Sequence, residues 1–283
     1  MSPRPILRFA PSPNGPLHLG HAFSALFTWQ AAAALGGTAL LRIEDTDIER
    51  CKPEFDAAIT HDLAWLGLSW PEPVWRQSAR FPVYAEAATK LRALGLLYPC
   101  FCSRSDIAAH ATGTDPDGAP LYPGTCRHLS KIDIFERLAR GDAVQYRLDM
   151  DKAITMAGPQ TLTVAGPLVT DRPQVRYANP ARWGDVVLQR KGTPTSYHLS
   201  VVIDDAAQGV THVTRGRDME AATDIHVLLA FLLGLVPPIY TFHKLLLDDD
   251  GKKLSKSKGS PSLASLHEAG WTPERVRAEL GFG

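Results

Sequence analysis

Ile6-Leu-Arg-Phe-Ala-Pro-Ser-Pro-Asn-Gly-Pro-Leu-His-Leu-Gly-His21, with the run to Leu35 and Thr38-Ala-Leu-Leu-Arg-Ile43, decides the fold. Ile6–Phe9 reads as a short buried strand, and Pro11–Pro16 as a Pro/Gly-rich turn. Leu19 to about Leu35 carries apolar residues at helical spacing and closes on Gly36-Gly37. Thr38–Ile43 is a second strand, ending at Glu44-Asp-Thr-Asp47. Strand, turn, helix and parallel strand make the βαβ unit of an open α/β sheet. Such sheets bind ligands at the carboxyl ends of their strands, where Ala10–His21 and Glu44–Asp47 both lie.

Outward from this unit, the spacing predicts helices over Pro53–Leu66 and Phe81–Leu94. At Tyr98 the texture changes to a Pro-, Gly-, Asp- and Thr-rich stretch with clustered cysteines and short strand-like runs such as Ala143–Leu148. The α/β pattern resumes with Val186–Gln189 and Leu199–Asp204, and Thr223–Leu233 is helical. A hairpin-like turn at Asp248-Asp-Asp-Gly251, a Lys/Ser run and two short helical pieces follow. The expected architecture is α/β, a Rossmann-type parallel-sheet nucleotide-binding domain. Its halves are residues 1–97 and 183–240, split by a small insertion at 98–182. Residues 241–283 form a Lys/Ser loop and a short helical segment.

The 283 residues suffice for a sizeable core. With 21% charged and 45% hydrophobic residues the balance is that of an ordinary soluble globular protein. Lys+Arg and Asp+Glu are 30 each, so net charge does not announce a nucleic-acid partner, although a locally basic face remains open. No signal peptide is legible at the N-terminus. The most apolar stretch, Val227–Pro238, falls short of the roughly 20 residues that span a bilayer and reads as a buried helix. No membrane association is expected. Clustered cysteines favour metal binding in a reducing compartment over disulfides.

His18-Leu-Gly-His21 opens the first helix, where unpaired N–H groups and the helix dipole favour anions. Its two histidines fall on one face of the opening turn, and Gly20 lets a nucleotide approach the backbone. The glycines fit neither a dinucleotide fingerprint nor a Walker loop. Lys253-Leu-Ser-Lys-Ser257 belongs to a stretch, Lys244–Lys258, with five lysines, which suits charge developing on a transferring phosphoryl group.

Together Pro11–His21 and Lys253–Ser257 resemble the two signature motifs of class I aminoacyl-tRNA synthetases. Arg8-Phe-Ala-Pro-Ser12 and Ile43-Glu-Asp-Thr-Asp47 resemble the glutamyl branch. The resemblance implies an ATP-dependent ligase. It implies ATP held by His18, Gly20, His21, Lys253 and Lys256, with His18, His21 and Lys256 serving the chemistry and Mg²⁺ helping pyrophosphate leave. Leu254 stands where many relatives have Met.

A substrate with two carboxylates needs cations on its side-chain acid and an anion on its amine. Arg8, at a strand end beside the phosphate turn, provides a bidentate fork, and Glu44 is the natural amine partner. By resemblance Arg8, Ala10, Ser12, Glu44, Tyr197 and Arg215 line a glutamate pocket. Arg217 departs from the small or acidic residue frequent in relatives. Asp45, Asp47, Asp204 and Asp205 read as strand-end caps, with contact to ribose or solvent as the alternative.

Cys100-Phe-Cys102 and Cys126 suit a tetrahedral structural Zn²⁺, which would stabilise a loop-rich insertion. Three cysteines leave a fourth ligand open. Tyr122 matches the Tyr-x-x-x-Cys pattern of the family, and His128 is the orthodox alternative. Buried, unliganded cysteines remain the bland one. Cys51 reads as a plain free thiol.

Only 26 residues follow Ser257, too few for an anticodon-reading domain. The expectation is therefore a likeness to the short paralogues of the glutamyl branch, the glutamyl-queuosine tRNA(Asp) synthetases. These activate glutamate without tRNA and place it on the queuosine base in the anticodon of tRNA(Asp). The implied partners are L-glutamate, ATP and queuosine-modified tRNA(Asp), with a cytoplasmic, monomeric enzyme. A core charging the tRNA 3′ end shares every motif, and an inactive tRNA-binding scaffold is the non-enzyme alternative. Arg104, Arg127, Trp183 and Arg190 are unranked candidates for tRNA contact.

Overall fold

The computed structural model describes residues 4–247 and 261–282. Strand β1 (Ile6–Phe9) pairs in parallel with β2 (Thr38–Ile43), from Ile6 opposite Thr38 to Phe9 opposite Leu41. Helix α1 (Leu19–Ala34) crosses between them, as the sequence predicts. The return is tight: a Cβ on Gly37 would lie 2.5 Å from the Pro5 carbonyl oxygen, so only glycine lets the chain re-enter the sheet there. Helix α2 (Pro53–Trp65) starts on a proline at its first turn. After it, β3 (Trp75–Arg76) extends the sheet in parallel beyond β2, and α3 (Phe81–Ala93) follows.

Strands β4 (Leu97–Cys100) and β5 (Gln145–Leu148) are antiparallel, with α4 (Arg104–His110) and α5 (Lys131–Ala139) between them. Next come α6 (Met150–Ala157), β6 (Thr161–Val164), β7 (Gln174–Tyr177) and β8 (Val187–Gln189). The chain continues through α7 (Tyr197–Ala207), β9 (His212–Gly216), α8 (Thr223–Leu232) and β10 (Ile239–His243). Helices α9 (Leu263–Glu268) and α10 (Pro273–Leu280) are the two short helical pieces of the C-terminal segment.

Strand β10 is parallel to both β9 and β6, and β7 closes that sheet antiparallel to β6. Strand β9 lies beside β1: the Thr211 N–H donates to the Ile6 carbonyl at 2.9 Å, and the Ile6 N–H to Thr211 Oγ1 at 2.9 Å. A parallel α/β layer thus runs from β3 through β2, β1, β9 and β10 to β6. Strand β8 joins β5 in the other sheet. So β6, within 98–182, pairs into the β10 sheet, while β8, within 183–240, pairs with β5. Strand pairing crosses both expected divisions of the chain.

Leu199–Asp204 lies inside α7, a helix. The apolar run Val227–Pro238 is only partly the buried helix expected. Val227–Ala230 are buried, but α8 stops at Leu232 because Gly234 takes φ 68° and Pro237-Pro238 follow, leaving Val236 86% exposed. One core joins Phe9, Phe23, Leu26 and Leu63 to Leu263 and Val276, so α9 and α10 pack on α1 and α2. A second joins Leu91, Leu148, Trp183, Leu199 and Leu228, uniting α3, β5, α7 and α8. Each fully buried side chain of this size contributes roughly 1.5–3 kcal/mol.

Candidate active site

At the carboxyl ends of β1, β2 and β9 a cavity of about 370 Å³ opens. All six residues expected around glutamate, Arg8, Ala10, Ser12, Glu44, Tyr197 and Arg215, line it. Ser24, Thr214 and Met219, which the sequence did not single out, complete the wall with Phe9 and Gly216. Arg217 is exposed and is not among the lining residues, so its charge does not enter the cavity.

The two lining arginines differ in their surroundings. Arg8 is held by Asp205: Nε donates to Oδ1 at 3.0 Å and Nη2 to Oδ2 at 3.4 Å. Arg42, fully buried, donates from Nη1 to Asp205 Oδ1 at 2.8 Å and from Nη2 to Glu44 Oε1 at 3.0 Å. Burial works against the Asp205 carboxylate, but Arg8 and Arg42 outweigh it and hold it below the usual range. Burial raises Glu44 despite the opposing pull of Arg42 and Arg8. Arg215, 6% exposed, has no acid partner among the described residues: Nη1 meets His226 Nδ1 at 3.1 Å, the guanidinium lies 4.9 Å from the Tyr240 ring centroid, and Nε and Nη2 are unpaired. Arg8, Arg42 and Arg215 against Asp205 and Glu44 leave one positive charge, the complement of a glutamate zwitterion with net charge −1. A buried guanidinium with two open donors calls for a carboxylate.

Asp205 and Arg42 thus order the charges beside the cavity, and sequence reasoning missed them or read them as a cap. The available signal was a charge inside an apolar run: Arg42 in a buried strand, Asp204-Asp205 in a helix of Val and Ile. Asp204 accepts from Arg80 Nε at 2.8 Å and Tyr84 Oη at 2.6 Å, a structural anchor. Asp45 accepts from the Ser78 N–H at 2.8 Å, and Asp47 pairs with Arg50.

Beside the cavity, His18 caps α1 with Nδ1 accepting from the Gly20 N–H at 3.0 Å, while His21 Nδ1 accepts from the His18 N–H at 3.2 Å. The rings lie 3.9 Å apart. A Cβ on Gly20 would fall 2.8 Å from His18 Cε1, so glycine is needed for this cap. Ser262 bridges to His18, and the Leu263 N–H donates to the Leu17 carbonyl at 2.8 Å. Lys253 and Lys256 lie outside the described residues.

The thiols of Cys100, Cys102 and Cys126 lie within 4.8 Å of one another. Tyr122 Oη is 3.4 Å from Cys100 Sγ and 3.9 Å from Cys102 Sγ. Zn–S bonds of about 2.3 Å place tetrahedral sulfurs somewhat under 4 Å apart, so the donor set fits that ion. His128 is exposed and outside this cluster. Arg147 Nε donates to Cys100 Sγ at 3.3 Å, which suits a thiolate. Cys51 is free.

Of the proposed tRNA contacts, Trp183 is buried with Nε1 donating to the Ala221 carbonyl at 3.1 Å, and Arg127 pairs with Asp185 and Asp151, each at 2.6 Å. Arg104 and Arg190 instead line a groove of about 670 Å³, together with Arg147 and Lys191, and with Asp47 and Glu49 opposing them in charge.

A parallel α/β sheet with a histidine-capped helix opening beside an amino-acid-sized, arginine-lined cavity is the arrangement of a class I aminoacyl-tRNA synthetase core. The chain belongs to the family of class I tRNA synthetase (E and Q) catalytic domains, whose model matches residues 6–281. It is 47% identical over 284 residues to the glutamyl-Q tRNA(Asp) synthetase of Rhodobacter capsulatus, covering 98% of this chain and 100% of that one. To the glutamyl-Q tRNA(Asp) synthetase of Nocardia farcinica it is 42% identical, over 96% of this chain and 82% of the relative. The glutamate-tRNA synthetase structure from Elizabethkingia anophelis superposes with a TM-score of 0.71 at 26% identity. That match covers 90% of this chain and 53% of the solved one, so the chain spans about half its length. Among the described residues no helix is long and apolar enough to cross a membrane.

Proposed function

We propose that this chain is an ATP-dependent ligase that activates L-glutamate as the adenylate without tRNA and transfers it to the queuosine base of tRNA(Asp). The observation that carries the first half is the convergence of Arg8, Ala10, Ser12, Glu44, Tyr197 and Arg215 on one cavity, with two N–H groups of Arg215 open. The second half is supported by the likeness, along the full length of the R. capsulatus protein, to a glutamyl-Q tRNA(Asp) synthetase.

In this reading the open edge of Arg215 and the Arg8 side receive the substrate side-chain carboxylate, and Glu44 faces its ammonium. The substrate α-carboxylate attacks the α-phosphorus of ATP, the bond to the bridging oxygen breaks, and pyrophosphate leaves. The turn His18–His21 seats the nucleotide, and Lys253 and Lys256 serve its phosphates. Mg²⁺ carried on those phosphates would neutralise charge on the leaving pyrophosphate. A hydroxyl of the cyclopentene-diol then attacks the glutamyl carbonyl, and AMP departs. The route for the acceptor is the basic groove beside the Glu44–Asp47 loop, where Arg190 Nη2 also donates to the Thr46 carbonyl at 2.9 Å. A Zn²⁺ held by Cys100, Cys102, Cys126 and Tyr122 would brace the loop that lines that groove at Cys102–Arg104, and the enzyme would act in the cytoplasm.

Glutamate-dependent ATP–pyrophosphate exchange without tRNA tests activation, and its absence would sink the reading. Mapping labelled glutamate after nuclease digestion tests the acceptor: label on the anticodon fragment is expected, and label on the terminal adenosine would refute it. Lys256→Ala should lower exchange.

A further inference from the structure

Two histidines stand behind Arg215 and line no part of the cavity. His226, on α8 and 1% exposed, touches Arg215 Nη1 through Nδ1 at 3.1 Å. Its Nε2 lies 3.2 Å from Nδ1 of His198, on α7. Tyr197, a wall residue, sets its ring 5.5 Å from that of His226, edge to face. A guanidinium has no acceptor, so His226 Nδ1 must accept from Arg215. His226 therefore carries its proton on Nε2 and donates it to His198 Nδ1. A protonated His226 could not take part. Consistently, burial, with the nearby Arg215 charge, lowers His198 to about 4 and holds His226 well below the usual imidazole range.

Arg215 can present two different edges to a carboxylate. With Nη1 tied back to His226, the edge left unpaired is Nε with Nη2, two buried atoms that lack partners. We infer that His226, itself aligned by His198, is the positioning residue that turns this edge of Arg215 toward the substrate and thereby sets the preference for a carboxylate over an amide. Two parallel N–H donors need two acceptor oxygens. Glutamine offers one oxygen and an NH₂ that would face the second donor, leaving it unpaired. The inference deepens the proposed function and rests on Arg215 contacting the substrate.

Pyrophosphate exchange by His226→Leu, His226→Asn and Arg215→Ala tests it, with each variant's thermal midpoint recorded. His226→Leu should raise the glutamate KM by roughly tenfold or more and leave the ATP KM unchanged. His226→Asn keeps an acceptor oxygen near the place of Nδ1 and should restore most of the affinity. A folded His226→Leu with an unchanged glutamate KM, or an Asn variant no better than Leu, would overturn the inference. Arg215→Ala separates the levels: a raised KM there beside a silent His226→Leu removes the relay alone, whereas a silent Arg215→Ala removes the pocket assignment and the relay with it. Nitrogen NMR of ¹⁵N-histidine-labelled wild-type protein gives an answer should a variant fail to fold. His226 should show the Nε2–H tautomer, and an Nδ1–H tautomer contradicts the relay.

Discussion

Arg8 and Arg215 line the same cavity, yet their surroundings assign them different work. Arg8 is already engaged by both oxygens of Asp205, which Arg42 shares. Removing it leaves a buried acid short of one partner, so Arg8→Ala should cost several kcal/mol of stability, of the order of 3–5, and show as a lowered urea midpoint as well as weaker glutamate binding. Arg215 has open donors, so Arg215→Ala should raise the glutamate KM by roughly 10- to 100-fold, with a smaller stability loss, in steady-state exchange. Gly20→Ala should act on the nucleotide. Its methyl would push against His18 Cε1, disturb a cap of about 1 kcal/mol and raise the ATP KM while sparing that of glutamate.

At the scale of elements, the loops of Cys100–Cys102 and Tyr122–Cys126 depend on few apolar contacts beyond their own small cluster. If they hold Zn²⁺, a strong chelator should lower the thermal midpoint and open the segment between α4 and α5 to proteolysis. Cys126→Ser should bind less than one equivalent of metal by elemental analysis. An unchanged midpoint and no metal in the wild type would remove zinc from the account. The sequence made β1, α1 and β2 legible because strand, turn and helix signals there are local and agree. It made Arg8, Ala10, Ser12, Glu44 and Arg215 legible because they sit in motifs at strand ends, and Tyr197 in a motif that opens α7. It could not show that β6, besides pairing with its neighbour β7, joins β10, because a four-residue strand carries no mark of its partner. Nor could it find Asp205, Arg42 or His226, whose roles come from contacts across the chain: Arg8 and Arg42 reach Asp205 from distant strands, and His226 meets Arg215 from the next helix. Arg42 pairing with Asp205 is meaningful only once β2 and α7 have met.

For the molecule as a whole, the buried histidines tie stability to pH. In the unfolded chain they titrate near pH 6.5. In the folded one burial keeps His198 neutral to about 4 and holds His226 well below the usual range, and His212 is lowered as well. Below about pH 6.5 the unfolded state therefore binds more protons, and stability falls as pH falls, at up to about 1.4 kcal/mol per unit for each histidine. Urea midpoints between pH 7.5 and 4.5, the range these values set, should show this decline, and His198→Asn should flatten it. Asp205 adds a further loss only below the carboxylate range, near pH 4. The exchange of strands between the two sheets bears on how such a fold can be cut and rejoined. Excising 98–182 as a block would strip β6 and β7 from β10 and leave β8 beside nothing, so a graft at those borders should yield aggregates. A transplant between Phe101 and Asp142 keeps both sheets intact.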